Sequence, residues 1–90
     1  MKIKHRETGQ VLLQIEADDA STYSFDSCRL PGANFAGMNL AKTDFHNADL
    51  RGADFSGCNL QGASFRSASL SGANFEKANL REANFTDALL

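Results

Sequence analysis

Ninety residues leave room for one domain. Nine basic and eleven acidic residues give a formal charge of -2, without the basic excess usual in proteins that bind nucleic acid or membrane surfaces. The longest apolar run, Val11-Leu12-Leu13, is far short of the roughly 18–20 residues of a membrane span. Lys2 and Lys4 have no apolar stretch behind them as a secretory signal would, and two cysteines are too few for a disulfide scaffold. The expectation is a small cytoplasmic domain with no membrane or nucleic-acid partner.

The chain opens with residues 2–6, a polar Glu7-Thr8-Gly9-Gln10 segment and residues 11–15, which read as strand, turn, strand. Residues 18–22 form a connector, so that residues 1–22 make one segment, a hairpin cap with its connector. From Tyr23 onward a different order takes over. Every phenylalanine falls on one register, at Phe25, Phe35, Phe45, Phe55, Phe65, Phe75 and Phe85, and leucines fall midway, at Leu30, Leu40, Leu50, Leu60, Leu70, Leu80 and Leu90. Two residues before each stands a small or modest side chain, among them Cys28, Ala33, Thr43, Ala53, Cys58, Ala68 and Ala78, with Tyr23 and Met38 as the large exceptions. A short polar residue usually separates the two, as at Asn34, Asp44, Asp49, Asp54, Asn59, Asn74, Asn79 and Asn84.

A period of five excludes both common regular structures. Positions five apart lie about 140° from each other around an α-helix, and on opposite faces of a long strand. A coil with flat five-residue sides, each turning its small and its large residue inward, buries all of them.

The segments Ala33-Asn34-Phe35-Ala36-Gly37, Ala53-Asp54-Phe55-Ser56-Gly57 and Ala78-Asn79-Leu80-Arg81-Glu82 resemble the A-(D/N)-(L/F)-x-x unit of the pentapeptide-repeat family. The likeness covers residues 23–90, three quarters of the chain. It implies an all-β fold, a right-handed quadrilateral β-helix of about three coils with four units to a coil, here capped by the N-terminal hairpin. Residues twenty apart then stack, giving one ladder of Phe25, Phe45, Phe65 and Phe85, a facing one of Phe35, Phe55 and Phe75, and two leucine ladders. The expected core is Phe25, Leu30, Phe35, Leu40, Phe45, Leu50, Phe55, Leu60, Phe65, Leu70, Phe75, Leu80 and Phe85. Asn, Asp and Ser side chains accept bonds from nearby N–H groups in turns, and Gly32, Gly37, Gly52, Gly57, Gly62 and Gly72 suit corners of unusual φ.

The hairpin is placed to cover the first coil, as solenoid ends require. At the other end the repeat stops at Ala88-Leu89-Leu90 with no cap in view, which leaves Phe75, Leu80, Phe85 and Leu90 as the expected top layer of an open shaft. An uncovered apolar layer with an unpaired edge invites a partner, so the expectation is a homo-oligomer, a dimer formed through the C-terminal coil at Phe85, Leu89 and Leu90.

A search for chemistry gives no catalytic, cofactor-binding or metal residues. Cys28 and Cys58 lie in the small-residue slot one and a half coils apart, outside disulfide geometry. His5 and His46 have no zinc-ligand spacing around them. The serines have no base beside them in a nucleophile pattern, and Asp44, Asp49 and Asp54 fall on successive sides and do not converge. The expectation is a non-catalytic structural or protein–protein interaction module whose protein partner the sequence does not identify. The resemblance also implies an alternative, because some family members are quinolone-resistance proteins that imitate B-DNA and bind DNA gyrase. The repeat region has Asp26, Asp44, Asp49, Asp54, Glu76, Glu82 and Asp87 against Arg29, Lys42, Arg51, Arg66, Lys77 and Arg81, which is close to neutral. Its coils at ~4.8 Å each make a rod of about 16 Å, under half of a ~34 Å DNA turn.

Overall fold

The turns set the shape. Each five-residue unit closes with a backbone bond from the N–H of the small residue to the carbonyl of the large residue three positions before it, as in Ala33 to Leu30 at 3.1 Å and Ala78 to Phe75 at 3.0 Å. The second of the two residues between them has positive φ at every such turn, from Ser27 at 61° through Gly32 at 74° to Asp87 at 59°. That is the backbone of a type II turn, in which glycine is favoured at this position, and Pro31-Gly32 supplies its preferred pair. Elsewhere Lys42, Asn47, Ser67, Lys77 and Glu82 take the same left-handed conformation without being glycine, at a cost of order 1–2 kcal/mol each.

The structure, a computed structural model, describes residues 1–16 and 20–90. The expected connector over residues 18–22 lies partly outside the described residues. Four turns complete a coil, and the coils stack as a quadrilateral β-helix. Parallel bridges join residues twenty apart, including Arg29–Asp49, Asn34–Asp54, Asp54–Asn74 and Ser69–Leu89. The large residue's N–H donates upward to the next coil, as Phe35 does to the Asp54 carbonyl at 2.8 Å, and the polar residue's N–H donates downward, as Asp54 does to the Ala33 carbonyl at 2.8 Å. The first side contains Phe25, Phe45, Phe65 and Phe85. The second contains Leu30, Leu50, Leu70 and Leu90, the third Phe35, Phe55 and Phe75, and the fourth Leu40, Leu60 and Leu80.

The shaft is filled as the stacking requires. Rings twenty apart lie nearly parallel with centroids about 5 Å apart, such as Phe45–Phe65 at 5.0 Å and 1° and Phe35–Phe55 at 4.9 Å and 4°. Rings on facing sides meet edge-on, as Phe45 and Phe55 do at 5.5 Å and 84°. Burial is complete for Phe25, Phe35, Leu40, Phe45, Leu50, Phe55, Leu60 and Phe65, each stabilising the fold by about 1.5–3 kcal/mol before entropy is counted. It does not extend to the end of the expected core. Phe75, Leu80 and Phe85 pack against the core but are only partly buried, because no coil among the described residues covers them.

The N-terminal strands are β1 (Lys2–His5) and β2 (Val11–Gln14), paired antiparallel. Both are a residue shorter than the sequence suggests, although Ile15 still donates to the Met1 carbonyl at 3.0 Å. β1 also pairs antiparallel with β3 (Ala33–Asn34), giving the order β2-β1-β3. The hairpin therefore occupies an edge of the first coil, and its Ile3 and Ile15 join the core at 0% and 4% exposure. Arg6 donates to the Gly32 carbonyl through its N–H and to the Gly52 carbonyl through its guanidinium. The His5 ring lies so close above Gly32 that a Cβ there would collide with it. No helix among the described residues is long and apolar enough to cross a membrane.

Candidate interaction surface

The outward walls are built from turn residues and polar side chains already engaged with the backbone. Asn34, Asn39, Asp44, Asp54, Asn59, Asn74, Asn79 and Asn84 each accept a bond through Oδ1 from the N–H two residues on, at 2.9–3.2 Å. Tight corners would leave those amides unpaired, so the residue type follows from the fold. Asp49 is held by Arg51 through Nε at 2.8 Å and Nη2 at 2.7 Å. The Arg51 side-chain hydrogen bonds keep the Asp49 carboxyl below the usual carboxylate range, and hydrogen bonds from Ser56 do the same for Asp54. His46 stands 3.6 Å from Asp26, one coil below. Opposite charges are interleaved on these walls.

Neither thiol is placed as a nucleophile. Cys58 is buried and donates through Sγ to the Phe35 carbonyl at 2.9 Å. Burial pushes the Cys28 thiol up to about 11 and raises Cys58 as well, and both cysteines are free. Among the described residues no group of three His, Cys, Asp or Glu side chains is set to hold a metal ion. A depression of about 350 Å³ between Ser56, Gly57, Asn74, Glu76 and Lys77 lies open on the third side.

The top of the last coil differs from the rest of the surface. Leu89 is 66% and Leu90 79% exposed, and Phe75, Leu80 and Phe85 complete an apolar layer with one face open. One coil lower, the N–H groups of Phe55, Gly57, Leu60, Gly62, Phe65 and Ser67 all donate upward. Among the described residues, their counterparts at Phe75, Lys77, Leu80, Glu82, Phe85 and Asp87 have no backbone acceptor, and the upward carbonyls of Ala73, Ala78, Ala83 and Ala88 have no backbone donor. The sequence marks Phe85, Leu89 and Leu90 as this end. The same stacking puts Phe75 and Leu80 in this layer, and the structure identifies the amides and carbonyls that make up its unpaired edge.

A sequence model described as "Pentapeptide repeat region" matches residues 19–90. The chain belongs to the pentapeptide repeat family. Three solved pentapeptide repeat proteins are similar to it. One, from the Arabidopsis thaliana thylakoid lumen, is 42% identical with a TM-score of 0.71 over 71% of this chain and 44% of its own. Another, from Nostoc PCC 7120, is 30% identical with a TM-score of 0.75 over 78% of this chain and 58% of its own. The third, HetL from Nostoc sp. strain PCC 7120, involved in heterocyst differentiation regulation, is 34% identical with a TM-score of 0.69 over 72% and 31%. This pentapeptide repeat chain thus spans between about a third and three fifths of the length of these relatives. No curated protein sequence matches it significantly.

Proposed function

We propose that this pentapeptide repeat chain is a non-catalytic interaction module that joins a second copy of itself through the open end of its last coil and leaves its side walls for a further protein partner. The apolar top layer, with its unpaired amides and carbonyls, supports this reading most directly. Water solvates those backbone groups in the free chain, while the apolar surface between them favours burial. The walls support a non-catalytic role, since their polar side chains are committed to turns and ion pairs. Imitation of a duplex calls for a continuous negative strip. Here Arg51 neutralises Asp49, and six basic residues offset seven acidic ones along the coils.

The test is the mass in solution by light scattering over a concentration series, for the 90-residue chain and for the double variant Leu89→Asp/Leu90→Asp. The expected result is a rise from 9.7 kDa toward twice that value for the parent, and a constant monomer mass for the variant. A constant monomer mass for both refutes self-association.

A further inference from the structure

The wall on the third side continues downward into β1, which pairs with it at Ala33–Asn34. Lys2, Lys4 and Arg6, three of the chain's nine basic residues, stand there within five positions. The geometry points to a docking surface for an extended acidic segment of a protein partner, laid along the outer face of β1 with its carboxylates over Lys2, Lys4 and Arg6. This inference rests on the reading of the side walls as surfaces for a further protein, and it specifies one wall and the chemistry of its occupant.

Alternate residues of a strand share a face. Ile3 is turned into the core at 0% exposure, which sets Lys2, Lys4 and Arg6 on the opposite, exposed face. The pairing fixes their surroundings. Toward β2, Lys2 is level with Gln14 and Lys4 with Val11. Toward the coil, Lys4 is level with Asn34, and the Arg6 N–H bonds to the Gly32 carbonyl. All of these neighbours are uncharged. Asn34 is folded back onto the Ala36 amide at 3.0 Å and Gly32 has no side chain, so a second chain can lie flat along the row.

The charges of the row are available. Lys2 and Lys4 are in no ion pair among the described residues. Arg6 gives one guanidinium N–H to the Gly52 carbonyl at 3.2 Å and lies within range of Asp54, which leaves most of its five N–H donors for a ligand. Glu7 follows the row in sequence and Glu16 follows β2, and neither falls between its members. The backbone beneath is held by pairing on both sides of β1 and by Ile3 in the core, so a ligand does not have to order it.

The occupant follows from the repeat of the row. Two residues of strand advance ~6.8 Å, so the cations of the row span about 14 Å. An extended peptide with acidic residues at alternate positions repeats its charge at the same interval, and about five of its residues cover the row. Across the wall the neighbours are uncharged, so the match holds along β1 and not across it. Single-stranded nucleic acid binds through aromatic platforms for its bases, whereas the exposed apolar residue beside the row is Val11. Anionic membrane surfaces are held by larger clusters of ~4–8 basic residues. Exposed ion pairs are individually weak, and the contact is accordingly modest in affinity and sensitive to salt.

Amide chemical shifts of the 90-residue chain, followed during titration, test this. The probes are an alternating Glu-Ser peptide of about eight residues, a block peptide of the same composition with its glutamates adjacent, oligothymidylate, and phosphatidylserine vesicles. The alternating peptide is expected to give saturable shifts over residues 2–6 and at Val11 and Gln14, and to bind more tightly than the block peptide. Raising salt from about 50 mM to about 300 mM weakens it. Lys2→Glu/Lys4→Glu lowers its affinity by about tenfold or more, with shifts outside the hairpin unchanged as the check on folding. Arg66→Glu, on the opposite wall, leaves it unaltered. Absence of saturable binding, shifts centred on another wall, equal binding of the block peptide, or an equal loss from Arg66→Glu overturns the inference. Tighter binding of oligothymidylate or vesicles also overturns it. Light scattering on the same samples separates the two readings. Binding at the row by a chain that stays monomeric refutes self-association alone, and a self-associating chain that ignores the alternating peptide refutes this inference alone.

Discussion

Thr43 occupies the inward small-residue slot, at 2% exposure, and its Oγ1 has no hydrogen-bond partner among the described residues. Most other inward positions of this kind contain alanine. A buried hydroxyl without a partner costs about 1–3 kcal/mol relative to an apolar group of the same shape. Thr43→Val keeps the β-branch and the volume and removes only that cost, so a stabilisation of about 1–2 kcal/mol is expected. For a domain of this size this corresponds to a rise in Tm of about 4–8 °C per kcal/mol. Thr43→Ala also removes the hydroxyl but deletes a buried methyl worth about 0.8 kcal/mol, which offsets much of the gain. The expected order is therefore Val above Ala, and Ala close to the parent, read by thermal and urea unfolding followed by circular dichroism. Refutation would be Thr43→Val less stable than the parent, because the hydroxyl would then be making a bond worth more than its burial cost.

Three further outcomes follow from the same geometry. Gly72→Ala, at φ of +73° where a Cβ would meet only the Gly52 backbone at an ordinary 3.9 Å, should lose about 1–2 kcal/mol to strain. Gly32→Ala should lose more, since it also displaces His5; equal losses by urea unfolding would mean that the His5 contact contributes nothing. Asp49 and Asp54 have folded-state carboxyl values below the ordinary one, so their contribution is complete above about pH 4 and is lost as pH falls through the depressed values. Asp54→Asn, which keeps the turn as Asn34 and Asn74 do, should match the parent at pH 7 and lose less stability at pH 3; an unchanged acid slope would contradict this. At pH 7.5, iodoacetamide should label Cys28 slowly and Cys58 only under unfolding conditions, measured by mass spectrometry. Rapid labelling of Cys58 in the native protein would contradict its burial.

The architecture was legible because a five-residue period constrains every position. Inward and outward directions, the ring ladders and the placement of Asn and Asp at turns all follow from it. The hairpin is visible as two short strands, but its docking on Ala33–Asn34 is not. That choice rests on shape, with the His5 ring against Gly32 and the Arg6 guanidinium reaching the Gly52 carbonyl, and no period encodes it. Lys77 and Glu82 share by period the corners of Gly37, Gly57 and Gly62, but their residue types give no sign of the left-handed backbone that the closed coil imposes on them. The open end was visible in Leu89 and Leu90. The twenty-residue stacking implied by the period also places Phe75 and Leu80 in that layer, whereas the particular amides and carbonyls left without a partner became apparent only from the hydrogen bonds.

Amide hydrogen exchange measured residue by residue at several protein concentrations addresses the central claim most directly. In dilute solution the N–H groups of Phe75, Leu80 and Phe85 should exchange quickly, while those of Phe55, Leu60 and Phe65 remain protected by bonds to the coil above. Raising the concentration should protect the first set selectively and leave β2 unchanged. Exchange at Phe75, Leu80 and Phe85 that does not respond to concentration, or new protection appearing at Val11–Gln14 instead, would contradict pairing through the last coil.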